Sequence, residues 1–179
     1  MSLAVNKYAN ALLEIAVEEN CLDEIHADFK VFYDAICDNS DFEKLLVMDT
    51  IQTISKKDMI DRIAPNGNKL FLNFIKLIID KDREFELKLI YVRFNELYKE
   101  LKNIMEATAV TAVELTKEEL DSIKSKLEKK YKKTIVLDSN VDPSILGGMI
   151  LYVGDSVIDI SLKARLAGLK NTMKQIKLT

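Results

Sequence analysis

One histidine, His26, and two cysteines, Cys21 and Cys37, supply the only imidazole and the only thiols in this 179-residue chain. Asp23 and His26 stand three apart and can share a helix face. A metal site takes three or four ligands and no second histidine exists, so the pair reads as solvated helix surface and no metal is expected. Cys21 and Cys37 lack CxxC spacing. Within one helical stretch they stand roughly 24 Å apart at 1.5 Å rise per residue, too far to bond. The paired carboxylates Glu18-Glu19 and Glu118-Glu119 fall at a helix end or on a polar face. No GxGxxG, Walker loop, HExxH or GxSxG occurs. Gly147-Gly148 by itself reads as a turn or a close packing of strands. The expectation is a protein without catalytic residues or cofactor.

With so little chemistry on offer, the elements must carry the function. Apolar residues make up 48% of the chain, enough for a sizeable core, and Gly and Pro together number only 7. A chain so poor in turn residues should be mostly long helix. The net charge of −3 leaves no basic footprint for nucleic acid. The longest uncharged stretch, Pro143 to Gly154, spans 12 residues and is too short to cross a bilayer. The start, Met1-Ser2-Leu3-Ala4-Val5-Asn6-Lys7, lacks a basic region followed by an apolar one, so the reading is an intracellular protein.

Two halves separate near residue 105. The first carries a net charge of −5 and the second +2. At the same point Ala107-Thr108-Ala109-Val110-Thr111-Ala112-Val113 turns small and β-branched, the composition of a strand. The fold expected is mainly α: a six-helix bundle over residues 1–105, then a small α+β domain over 106–179. Helices are expected from about Leu3 to Glu19 and from Lys69 to Asp80. Another carries the stripe Leu22, Ile25, Phe29, Phe32 and Ile36. Ser40 with Glu43 and Ser55 with Asp58 read as capping signatures opening the third and fourth helices, and Pro65-Asn66-Gly67 as the stop of the fourth. The sixth carries Leu87, Ile90, Tyr91, Phe94, Leu97, Tyr98 and Leu101.

Two of these helices are more apolar than a bundle surface requires. At 100° per residue, Val5, Tyr8, Ala9, Leu12, Leu13 and Ala16 form one core-type stripe on the first helix, and Ala4, Ala11 and Ile15 extend it until apolar residues cover roughly 240°. On the fifth, residues including Phe74, Leu77 and Ile78 cover roughly 220°. A surface helix needs a stripe only somewhat over 100° wide. Either both helices lie at the bundle centre, or they flank a groove that receives an apolar helix from another chain. On the second reading, the acidic balance of this half would favour a basic partner.

In the second half, Thr116 and Glu119 form a capping box before a helix bearing Leu120, Ile123, Leu127 and Tyr131. Lys124, Lys126, Lys129, Lys130, Lys132 and Lys133 give it a basic end that suits the helix macrodipole. Strands are expected at Thr134–Leu137, Met149–Val153 and Val157–Ile160, with a hairpin turn at Gly154-Asp155. Ser161 should cap a last helix striped by Leu162, Leu166, Leu169, Met173 and Ile176. Asp159 and Arg165 are placed to pair.

The run Val141-Asp142-Pro143-Ser144-Ile145-Leu146-Gly147-Gly148, followed by Val153-Gly154-Asp155, Val157-Ile158-Asp159, Ser161 and Arg165-Leu166, resembles the delta subunit family of bacterial F-type ATP synthase. That family is the counterpart of the mitochondrial oligomycin-sensitivity-conferring protein. Upstream, Tyr8-Ala9-Asn10-Ala11-Leu12 matches the family's opening helix, and Asn73-Phe74-Ile75 with Arg83 its fifth helix and the following turn. The chain departs from the pattern at Ile160, usually glycine, and at Asn39-Ser40, commonly Asn-Pro.

The resemblance implies a non-catalytic stator subunit of a proton-translocating complex, one copy per complex. Its place is peripheral, at the cytoplasmic face of a bacterial plasma membrane, with no insertion and no nucleic acid. It implies that the bundle holds the N-terminal helix of the alpha subunit between its first and fifth helices. Tyr8, Ala11, Leu12, Ile15, Phe74, Leu77 and Ile78 would line the groove. The C-terminal domain would contact the peripheral stalk b subunits, with Gly147, Gly148, Asp155, Asp159, Ser161 and Arg165 structural or in contact with the stalk. A helical adaptor of another soluble complex, or an enzyme with a cryptic site, are the competing classes.

Overall fold

In the computed structural model, residues 2–48, 51–63 and 67–166 are described. The chain divides into two compact units between Lys99 and Glu100. That is six residues before the expected boundary and falls in the last turn of the helix Leu87–Leu101.

In the first unit, α1 spans Leu3–Glu18, with the Ser2 hydroxyl accepting from the Ala4 N–H. Val5, Ala9, Leu12 and Ala16 are its buried face, an i, i+4, i+7, i+11 row. Asn20 ends it with φ +54. The Asn20 N–H donates to the Val17 carbonyl and the Cys21 N–H to the Ala16 carbonyl, the Schellman pattern. Helix α2 (Leu22–Asp38) buries Leu22, Ile25, Phe29, Phe32 and Ile36, the stripe read from the sequence. Helix α3 covers Ser40–Val47. Its cap is Asn39 rather than Ser40: Asn39 Oδ1 accepts from the N–H groups of Asp41 and Phe42.

Helix α4 covers Thr53–Ile63, so Ser55 lies inside it and not at its cap. The Lys56 N–H already donates to the Gln52 carbonyl, which starts the helix a turn earlier than the Ser55–Asp58 signature suggests. The expected stop at Pro65-Asn66 lies outside the described residues. Helix α5 runs Lys69–Asp80, capped by the Asn68 side chain on the Leu70 N–H. A 3-10 turn at Glu84–Glu86 leads into α6, Leu87–Leu101. Phe29 is the centre of the core, with ring centroids 5.2 Å from Phe71, 5.2 Å from Tyr91 and 5.7 Å from Phe94. Of the stripe read for α6, Leu87, Ile90, Tyr91 and Phe94 are buried, Leu97 and Tyr98 half-buried, and Leu101 exposed.

The second unit opens with β1 (Ile104–Thr111) and the helix α7 (Lys117–Tyr131). The Thr116–Glu119 capping box forms in both directions. Strand β2 (Thr134–Val141) is four residues longer than expected, because pairing with β1 continues to Val141. After a 3-10 turn at Pro143–Ile145 come β3 (Met149–Val153) and β4 (Ser156–Asp159). The sheet order is β2-β1-β3-β4, with β1 parallel to β2 and antiparallel to β3. One sheet face, including Ala107, Ala109, Ile135, Leu151 and Val153, shares a core with Leu127, Ile123 and Tyr131 of α7. By the alternation of a strand, Val110, Ile150, Tyr152 and Val157 lie on the other face, where Tyr152 and Val157 are exposed. Residues 162–166 are helical. Leu169, Met173 and Ile176 lie outside the described residues.

Candidate partner-binding site

Helices α1 and α5 meet where the Tyr8 ring stands edge-on to Phe74 at 6.5 Å. Their broad apolar arcs divide. One part enters the core as Val5, Ala9, Leu12 and Ala16 from α1 and Phe71, Ile75, Ile78 and Ile79 from α5. The remainder reaches the surface: Ala11 is exposed, Ile15 and Leu77 are each 45% exposed, and Tyr8 and Phe74 are half-buried. Leu12 and Ile78 correct the expectation for the groove. At 2% and 0% exposure they lie beneath it and offer no surface. Both sit near the middle of their helix's apolar arc, Leu12 in the same row as the buried Val5, Ala9 and Ala16, which is where a helix meets its core.

The exposed part continues into a depression of about 650 Å³ lined by Ser2, Leu3, Ala4, Lys7, Tyr8, Ala11 and Arg83. Leu3, Ala4 and Lys7 were not among the residues expected to line the groove, although Ala4 and Lys7 stand at i−7 and i−4 from Ala11 and so share its face. Arg83 has no helical periodicity to announce it. It is positioned by the end of α5, where Asp82 takes φ +52. There the Asp82 N–H donates to the Ile79 carbonyl and the Arg83 N–H to the Ile78 carbonyl, a second Schellman turn. The Arg83 guanidinium then donates to the Glu86 carboxylate at 3.0 Å, and Glu86 is nearly buried. Behind this turn, Lys56 and Glu84 form an ion pair at 2.7 Å with both side chains almost wholly buried. Lys57–Asp80 and Lys76–Asp61 further tie α4 to α5.

The C-terminal motif has a structural reason at nearly every position. Gly148 has φ +76, and a Cβ there would stand 2.4 Å from the Ile160 carbonyl oxygen. Gly147 has φ +150 and packs against Leu162, and its carbonyl accepts from the Leu162 N–H. Asp155 is exposed in the β3–β4 hairpin turn beside Gly154, whose φ is +54. Ser161 is buried, and its hydroxyl accepts from the Ala164 N–H as the expected cap. Asp159 accepts from the Ser161 N–H at 2.9 Å. It forms no ion pair with Arg165, which is exposed, so the pairing expected from the sequence is replaced by this tight turn. The Ser161 hydroxyl and N–H hold the Asp159 carboxyl below the usual range. The Ser144 N–H and hydroxyl do the same for Asp142. Ile160 is not among the positive-φ residues and its side chain is half exposed, so isoleucine fits where the family commonly has glycine.

His26 is structural rather than simply solvated. Its ring stacks on Tyr98 at 3.8 Å and its Nε2 lies 2.9 Å from Asn95 Oδ1, joining α2 to α6. Among the described residues no cluster of three His, Cys, Asp or Glu could hold a metal, and both cysteines are free thiols. No described helix is long and apolar enough to cross a membrane.

Residues 4–173 match the family model described as the ATP synthase delta (OSCP) subunit. ATP synthase subunit delta of Lactobacillus johnsonii is 36% identical over 169 residues, covering 94% of this chain and 93% of that protein. Its counterpart from Caldanaerobacter subterraneus is 34% identical over 173 residues, covering 97% of each. In fold, the chain resembles a chain of the mitochondrial ATP synthase hexamer of Toxoplasma gondii. The TM-score is 0.72 at 20% identity, with 97% of this chain and 98% of that one covered. The protein therefore belongs to the ATP synthase delta (OSCP) subunit family, as a non-catalytic subunit of the peripheral stalk.

Proposed function

We propose that the first unit, a bundle of six helices, receives the N-terminal helix of the catalytic-head alpha subunit in the α1/α5 groove. The second unit contacts the peripheral stalk b subunits. One copy per complex, at the cytoplasmic face of a bacterial plasma membrane, would then tie the head to the stalk and oppose the rotor's torque. The observation that carries this reading is the row of Ala11, Ile15 and Leu77, exposed beside the Tyr8–Phe74 contact on two adjacent helices. An apolar helix laid there covers surface that these helices leave to water. Such a contact also holds across changes of salt, as a static joint requires. For the second unit, the sheet face opposite α7 supports the stalk contact, with Tyr152 44% and Val157 60% exposed.

The test is calorimetric titration of the full chain with a peptide of the cognate alpha subunit's N-terminus. One-to-one binding is expected. Ala11→Asp should weaken it by about a hundredfold or more, because a carboxylate and its bulk must be forced into the apolar contact at a cost of several kcal/mol, offset only in part by Lys7 at i−4. Unchanged affinity at unchanged helicity would sink the groove assignment.

A further inference from the structure

The groove rim is charged, and its charges are segregated. On α1, Lys7, Ala11, Glu14 and Glu18 form an i, i+4, i+7, i+11 row along one exposed ridge. Lys7 and Arg83 both line the depression at the N-terminal end of α1. Glu14 and Glu18 lie toward the other end, with Glu18 about 16 Å from Lys7 along the axis at 1.5 Å per residue. That separation exceeds the Debye length of roughly 8 Å at physiological salt, so each end acts on what lies directly over it.

Of the remaining charges of this region, the exposed Lys81 and Asp82 are neighbours of opposite sign beside Arg83, the exposed Glu19 adds to the acidic end, and the others are engaged elsewhere or turned away. Asp80 pairs with Lys57 and Lys76 with Asp61, both on α4. Lys69, by helical rotation, points roughly 140° away from Phe74, the residue of α5 that meets α1. Glu86 holds Arg83 in place, so the guanidinium keeps further N–H donors in a preset fork. The net charge of −5 in this half thus misstates the local field.

We infer that the groove is electrically polar and selects a partner helix with a fixed direction. Such a helix carries acidic side chains over Lys7 and Arg83 and basic ones about three turns away, over Glu14 and Glu18. This rests on the groove reading proposed above. It narrows the expectation of a partner with basic residues by giving those residues a place.

The test is a double-mutant cycle by calorimetry, with the full chain and the cognate alpha N-terminal peptide at low salt. Lys7 is exposed and outside the ion pairs of this unit, so Lys7→Glu leaves the fold intact. Lys7→Glu and Glu18→Lys should each weaken binding about fivefold, and high salt should erase the loss. A peptide with its acidic residues changed to lysine should bind the original protein more weakly and Lys7→Glu more tightly. Changes under twofold for both variants, or no rescue by the altered peptide, would overturn the polarity. If Ala11→Asp still abolishes binding in that case, the groove stands and only its direction is wrong. If Ala11→Asp also has no effect, the groove reading fails with it.

Discussion

Replacing Gly148 by alanine should destabilise the C-terminal unit far more than the same change at Gly154, although both glycines have positive φ. At Gly154, φ is +54 and nothing lies within 4 Å of a new Cβ. Alanine there costs only the left-handed backbone, about 1–2 kcal/mol. At Gly148, φ is +76 and the Cβ would stand 2.4 Å from the Ile160 carbonyl oxygen and 3.1 Å from Ser161 Cα. Those neighbours are backbone and cannot rotate aside. Moving them disturbs the Ile160 N–H bond to the Met149 carbonyl and the Leu162 N–H bond to the Gly147 carbonyl. Overpacking of this kind adds about 1–3 kcal/mol, for a total of about 2–5 kcal/mol. Urea unfolding of the full chain, followed by amide hydrogen exchange in β1, β3 and β4, separates this unit's stability from that of the helical unit. Equal losses for the two variants would refute the argument that the Gly-Gly pair exists for close approach rather than for the turn alone.

The buried Lys56–Glu84 pair should behave asymmetrically. Glu84→Ala strands a buried ammonium and should cost about 3–5 kcal/mol, whereas Lys56→Met with Glu84→Leu should be neutral or stabilising, as read from urea midpoints. Equal losses would mean that the pair itself contributes net stability. Acid should weaken the C-terminal unit through Asp142 and Asp159, whose carboxyls are held below their ordinary value by hydrogen bonds from Ser144 and Ser161. A depressed native pKa contributes stability that is present above the unfolded value near 4 and lost as pH falls through the native value. Melting temperature against pH should therefore decline below about pH 4, and Asp159→Asn should flatten that decline. An unchanged slope would contradict the hydrogen-bonding origin of the shift.

Periodicity placed the buried stripe of α2 and the first four core residues of α6, because a helix in a bundle buries a single narrow arc. Leu12 and Ile78 also lie near the middle of their helices' apolar arcs, and only the family resemblance set them on the groove wall. Toward the edges of an apolar arc that exceeds 200°, core and exposed wall have the same composition, and only the neighbours decide. Caps were legible where the side chain competed with no better acceptor, as at Thr116 and Ser161. They were misread at Ser40, where Asn39 one residue earlier offers the stronger cap. Arg83 and Lys7 entered the candidate site through tertiary geometry, Arg83 through a Schellman turn closed by an aspartate at positive φ instead of the usual glycine. The Asp159–Arg165 pairing failed because the Ser161 N–H, two residues away, takes the carboxylate first.

The most direct test of the stator account is amide chemical-shift mapping on the full chain as the cognate alpha N-terminal peptide is added. The perturbations should gather on Lys7, Tyr8, Ala11, Ile15, Phe74, Leu77 and Arg83, leaving α3 and the β-sheet unmoved. Perturbations gathered on the sheet, on α3, or nowhere in the folded protein would contradict it.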